Sequence, residues 1–234
     1  MDHKRLTLFA GHYGSGKTNI AVNYAIALAK EGKQVCIADL DIVNPYFRTA
    51  DSAKELEQAG VTLISPQFAN SNVDLPALPA EAYRLVTDKA AFGIMDIGGD
   101  DRGAYALGRY VPAIKEENNY RMVFVANCYR PPTRTPEEAM EVMGEIEAAC
   151  GLKFTDIVNN SNLGPETTAE TVLSSLDYIE KLSALSGLPV FAHTATEEVA
   201  ARLEGKLSPV LSLHLQEKYF DLPSQKPGSR PLWG

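Results

Sequence analysis

The sequence predicts an α/β fold: a doubly wound, mostly parallel sheet flanked by helices on both faces, giving three layers α/β/α. Three observations predict it. Apolar runs of strand length alternate with helical stretches along the chain, and the first run feeds a glycine-rich turn and then a helix. With 234 residues, 45% of them hydrophobic, the chain is also long enough for one large core.

Leu6–Ala10 (LTLFA) reads as a buried strand. Asn19–Lys30 then carries Ile20, Tyr24, Ala27 and Leu28 at helical spacing and stops before Gly32. Gln34–Ala38 (QVCIA) and Val61–Ser65 (VTLIS) are the next strands, with a helix over Asp51–Ala59 between them. Further strands are expected at Ala91–Ile97 (AFGIMDI), Met122–Asn127 (MVFVAN), Thr155–Asn159 (TDIVN) and Leu188–Ala192 (LPVFA). They alternate with helical stretches near 103–117, 136–149, 168–186 and 197–204. No internal repeat or low-complexity linker interrupts the pattern. Residues 1–222 therefore read as one domain, and 223–234, with Pro223, Pro227 and Pro231, as an extended tail.

The net charge of −8 and isoelectric point near 5.1 set up a field that repels nucleic-acid backbones and anionic lipid, so a nucleotide must be held by local geometry. The opening residues are too short for a signal peptide and no apolar run nears the roughly 18 residues of a membrane span. A soluble cytoplasmic protein is expected. Cys36, Cys128 and Cys150 are odd in number and widely spaced, which supports neither a disulfide framework nor a metal clip.

The turn GHYGSGKT, Gly11–Thr18, fits G-x-x-x-x-G-K-[ST] between a strand and a helix start. A chance match in a chain this long has a probability of about one in a hundred before that context is counted. Gly11, Gly14 and Gly16 let the backbone turn and present its N–H groups to phosphate, with Ser15 and Asn19 in the same phosphate-binding stretch. Lys17 reaches the terminal phosphates and Thr18 supplies a magnesium ligand.

Asp39 and Asp41, in ADLDIVNP, share one face at the end of the second strand; one can hold a magnesium-bound water while the other orients an attacking water. In IMDIGGD, Asp96 ends a strand and Gly99 follows three residues later, the spacing that lets a carboxylate serve magnesium while a backbone N–H meets a γ-phosphate.

Together these segments resemble the MinD/ParA branch of P-loop NTPases, a group that also holds CobQ/CobB-like amidoligases and dethiobiotin synthetase, and the likeness covers roughly residues 5–205. The resemblance implies a Mg-ATP-dependent ATPase. It gives Lys17 and Asp41 the catalytic roles, Asp41 on the water, with Asp39 and Asp96 in the metal shell beside Thr18. Asn160, in IVNNSN, matches the asparagine that reads adenine, and no guanine-reading N-K-x-D string is present, so ATP is favoured over GTP. The family pattern further implies a nucleotide-dependent homodimer and a protein partner.

One departure stands out. Many members carry a lysine near the start of the loop that reaches the partner's nucleotide, whereas His12 and Tyr13 occupy those places here. His12, Arg48, Arg102, Arg130 or Arg134 could supply the charge, and the sequence does not choose among them. No cysteine lies near Asp96, the C-terminal region lacks a basic amphipathic face and no basic cluster is evident, which argues against cluster carriage, membrane docking and DNA binding. The leading expectation is an ATP-driven switch acting on a protein partner. The alternative is an ATP-dependent ligase or kinase of the CobB/dethiobiotin synthetase type, with Pro66–Pro79 lining a second pocket; a scaffold that barely hydrolyses is a third.

Overall fold

The computed structural model describes residues 3–40, 49–64, 80–98 and 101–215. Its elements run β1 (Leu6–Ala10), α1 (Lys17–Lys30), β2 (Val35–Leu40), a 3-10 turn at Thr49–Ser52, α2 (Ala53–Gln58), β3 (Thr62–Ile64) and α3 (Arg84–Thr87). The chain continues through β4 (Phe92–Ile97), α4 (Asp101–Gly108), α5 (Val111–Glu117), β5 (Tyr120–Ala126), α6 (Pro136–Cys150), β6 (Asp156–Asn159), α7 (Ala169–Ser174), α8 (Leu176–Ser186), β7 (Val190–Thr196), α9 (Glu197–Leu203) and β8 (Val210–Leu213). The eight strands lie in the order β3-β2-β4-β1-β5-β6-β7-β8, every pair parallel.

Alternation along each strand divides the core between the two faces. Leu6, Leu8, Met95, Phe124 and Ile157 pack with residues of α4, α5, α6 and α8. Phe9, Ile37, Ile94, Val125, Val158 and Ala192 pack on the opposite face with Ile20, Ala21, Tyr24 and Leu28 of α1 and Leu56 of α2. The interior strands β1, β2 and β5 therefore read as apolar runs without polar alternation. Buried Arg5 closes the other end of the sheet, donating to the carbonyls of Leu85 (2.9 Å), Asp88 (3.1 Å) and Ala91 (3.0 Å) and pairing with the Glu117 carboxylate.

The predicted alternation and fold class hold, with three differences. The stretch near 103–117 forms α4 and α5, separated at Arg109–Tyr110, and 168–186 breaks at Ser175, whose N–H bonds to the Val172 carbonyl as a turn. The eighth strand was not expected: VLSL has only four residues, and its partly exposed face gives a weak pattern. The α3 turn was likewise missed. The extended tail 223–234 and the loop Pro66–Pro79 lie outside the described residues.

Candidate functional site: a glycine loop between two carboxylates and an asparagine

Six strand ends build the site by one rule. Two residues beyond the apolar positions that face α1, the same side of the sheet carries Gly11, Asp39, Asp96, Asn127, Asn160 and Thr194. Apolar side chains thus give way to polar ones where the strands reach the start of α1. Because α1 takes the chain to one face after β1 while α4 and α6 take it to the other after β4 and β5, the loop Gly11–Thr18 emerges in the crevice between them.

Gly16 is the N-cap of α1 at φ 91°, ψ 18°, with no side-chain cap, so the first amides of the helix are left for an anion. Ser15 N–H donates to the His12 carbonyl at 3.1 Å, closing the turn, and Lys17 Nζ donates to the same carbonyl at 3.2 Å. Lys17 is 5% exposed, held under the loop by its place as the first residue of α1. Thr18 follows it. Asn19 turns along the helix and accepts from Asn23 through both its backbone and side-chain oxygens. Ser15 is buried, and its hydroxyl has no hydrogen-bond partner among the described residues.

Asp39 and Asp96 end β2 and β4 in direct register, and both are buried. Thr49, absent from the sequence expectations, ties them together: its N–H donates to Asp39 Oδ2 at 3.2 Å and its hydroxyl to Asp96 Oδ2 at 3.1 Å. Two adjoining buried carboxylates would repel one another strongly, and charge-assisted donors offset part of that repulsion. The oxygen donors suit a hard cation such as magnesium. Among the described residues no group of three or more His, Cys, Asp or Glu could hold a metal ion. Asp41 and Gly99 lie outside the described residues.

Asn160 sits under the loop. Its amide donates to the Ser15 carbonyl at 2.6 Å and its oxygen accepts from the Thr194 hydroxyl, while its backbone N–H bonds to the Ala126 carbonyl. A Cβ on Gly16 would collide with Asn160 Nδ2, so the asparagine fills the space that glycine leaves. The residue expected to read adenine is thus turned into the protein, where it supports the phosphate loop. Behind it, buried Asn159 donates to Ser175 Oγ at 2.8 Å and lies 3.1 Å from His193 Nδ1. Burial holds the His193 imidazole below its ordinary pKa.

Of the residues offered in place of the loop lysine, Arg130 lies beside Gly14. His12 bonds through Nδ1 to the Tyr13 carbonyl at 2.9 Å, and exposed Arg134 ends the short turn Pro131–Thr133. Arg48 and the side chain of Arg102 lie outside what is described. Thr49 and Thr194 escaped the sequence reading because threonines in a loop and on a strand carry no distinctive spacing.

The fold and the loop define a P-loop nucleotide-binding protein. The chain belongs to the CobQ/CobB/MinD/ParA nucleotide binding domain family, whose model matches residues 6–170. Over 96 residues, 41% of this chain, it is 31% identical to the cytosolic Fe-S cluster assembly factor cfd1 of Emericella nidulans, and the match spans 27% of that relative's length. The cell division protein FtsY of Thermotoga maritima superposes with a TM-score of 0.58 at 17% identity, covering 82% of this chain and 62% of that one. The signal recognition particle receptor FtsY of Elizabethkingia anophelis gives 0.51 at 18% identity, over 81% and 58% of the two chains. At such identities the likeness establishes the fold alone. No helix among the described residues is long and apolar enough to cross a membrane.

Proposed function

We propose that this protein is a cytoplasmic Mg-ATPase that works as a nucleotide-dependent switch on a protein partner. The observation that carries the reading is Thr49, which joins Asp39 to Asp96 beside the phosphate loop, so a change at one carboxylate is felt at the other. The glycine loop, exposed at Tyr13 and Gly14, receives the phosphates, with Lys17 on the terminal ones, and Gly11, Gly14, Ser15, Gly16 and Thr18 around them. Thr18, Asp39 and Asp96 would hold magnesium, which when bound neutralises phosphate charge. In this reading Asp41 orients the attacking water and the Gly99 N–H meets the γ-phosphate. Asn160 braces the loop from beneath.

The fungal relative's name places it in Fe-S cluster assembly, but the cysteines here argue for a different output. Cys36 and Cys150 are buried and Cys128 is half-buried, and burial raises all three thiol pKa values, which disfavours the thiolate that binds iron.

Calorimetry and sedimentation with Mg-ATP, Mg-ADP, Mg-GTP and a non-hydrolysable ATP analogue test the proposal. ATP is expected to bind more tightly than GTP, the analogue to produce a dimer that ADP does not, and Lys17→Ala to abolish binding. Absence of ATP binding, or one oligomeric state in every condition with no phosphate release, overturns it. The ligase or kinase alternative predicts instead a small carboxylic acid that raises the melting temperature of the ATP-bound protein beyond ATP alone.

A further inference from the structure

Arg130 follows β5, on the side of the phosphate loop opposite Asp39 and Asp96. Its guanidinium lies against the outer surface of the loop, with Nε 3.8 Å and Cζ 3.9 Å from where a Cβ on Gly14 would stand. Gly14 and Arg130 are both exposed, so an anion approaching the loop from solvent meets them together. From this arrangement we infer that Arg130 is a phosphate-binding residue that grips the polyphosphate of the nucleotide in cis from the open side of the crevice, an inference that rests on the nucleotide-binding reading above.

The backbone beneath Arg130 is fixed. Tyr129 N–H donates to Asn127 Oδ1 at 3.0 Å, Arg130 N–H to the Asn127 carbonyl at 3.1 Å, and the Thr133 hydroxyl to that same carbonyl at 2.7 Å. Thr133 N–H returns to the Arg130 carbonyl at 3.0 Å, and Pro131 and Pro132 lock the turn between them. An arginine on a rigid base loses less freedom when it closes on a ligand. Its charge is also available. Arg5, Arg121 and Arg202 hold carboxylates, whereas Arg130 forms no ion pair among the described residues. In a chain of net charge −8, a cation held against the exposed Gly14 of the phosphate loop offers a planar fork of donors that matches phosphate oxygens in pairs.

The test titrates Mg-ATP and, separately, tripolyphosphate with magnesium into the whole chain, comparing wild type with Arg130→Ala, Arg130→Gln and Arg130→Lys, with thermal melts of the ligand-free proteins alongside. Removing a charge-assisted contact to phosphate should weaken both ligands about ten- to hundredfold in Ala and Gln. Lys, which restores charge without the fork, should fall between, and all four ligand-free proteins should melt alike. Gln keeps the side-chain stem and places an uncharged amide where the guanidinium begins, so wild-type affinity in Gln together with a loss in Ala assigns Arg130 to packing and overturns the inference. Loss of ATP affinity without loss of tripolyphosphate affinity overturns it too. Wild-type protein that binds neither probe overturns the nucleotide reading and this one together, whereas binding retained in both Ala and Gln overturns this one alone.

Discussion

Gly16 and Asn160 make a direct test of how the phosphate loop is held. Asn160 is 5% exposed and bonds the Ser15 carbonyl and the Thr194 hydroxyl. Replacing it by alanine leaves the buried Ser15 carbonyl unpaired, whereas the Thr194 hydroxyl keeps the Asn159 carbonyl as its acceptor at 3.2 Å, so the expected loss is about 1–3 kcal/mol. Gly16→Ala carries two penalties. A non-glycine residue in the left-handed region costs about 1–2 kcal/mol, and the new Cβ displaces Asn160 Nδ2 and so loses the bond to the Ser15 carbonyl, for a total of about 2–5 kcal/mol. In the double variant that bond can be lost only once. It should therefore also cost about 2–5 kcal/mol, less than the sum of the singles by about 1–3 kcal/mol. Urea unfolding of the four proteins reads this coupling, and thermal melts should show the same order at about 2–4 °C per kcal/mol. Additivity within about 0.5 kcal/mol would refute the reasoning, because it would mean that the Gly16 Cβ never meets Asn160.

Three further outcomes are expected. Thr49→Val removes the donor to Asp96 and should lower the stability of nucleotide-free protein by about 1–3 kcal/mol, while Thr49→Ser should stay within about 1 kcal/mol of wild type, measured by urea unfolding. Arg5→Met breaks a buried ion pair and should cost about 3–5 kcal/mol at pH 7. Because the hydrogen bond from Arg5 holds the Glu117 carboxyl below the ordinary carboxylate range, that pairing stabilises above the range and is lost as pH falls through the folded-state value, so the deficit of the variant should shrink there. His193 is buried neutral and resists protonation, so the unfolded chain binds more protons as pH falls below about 6.5 and wild-type stability should drop between pH 7.5 and 5.5. His193→Gln should flatten that slope in unfolding curves at the two pH values; an unchanged slope would assign it to another group.

Much of the chain is legible without coordinates, because the relevant physics is local. Short apolar runs bounded by turn residues mark β1, β2, β4, β5 and β6, helical spacing marks α1 and α6, and a glycine loop with Lys17 and Thr18 between strand and helix is one contiguous string. The same strings placed Asp39 and Asp96 at strand ends. Short elements were lost because four residues of VLSL or RLVT hold too little pattern to stand out from a loop.

By itself, then, the sequence determined that this protein has a doubly wound sheet, a phosphate loop and strand-end carboxylates, since each is written in neighbouring residues. Only the tertiary structure decided which distant residues meet. It sets β4 between β2 and β1, bringing Asp96 level with Asp39 and both within reach of Thr49. It folds Asn160 beneath Gly16, 144 positions earlier in the numbering, and brings Arg130 rather than His12 against Gly14. Those contacts follow from strand order and crossover side, which are set by the packing of whole faces and not by the spacing within any one segment.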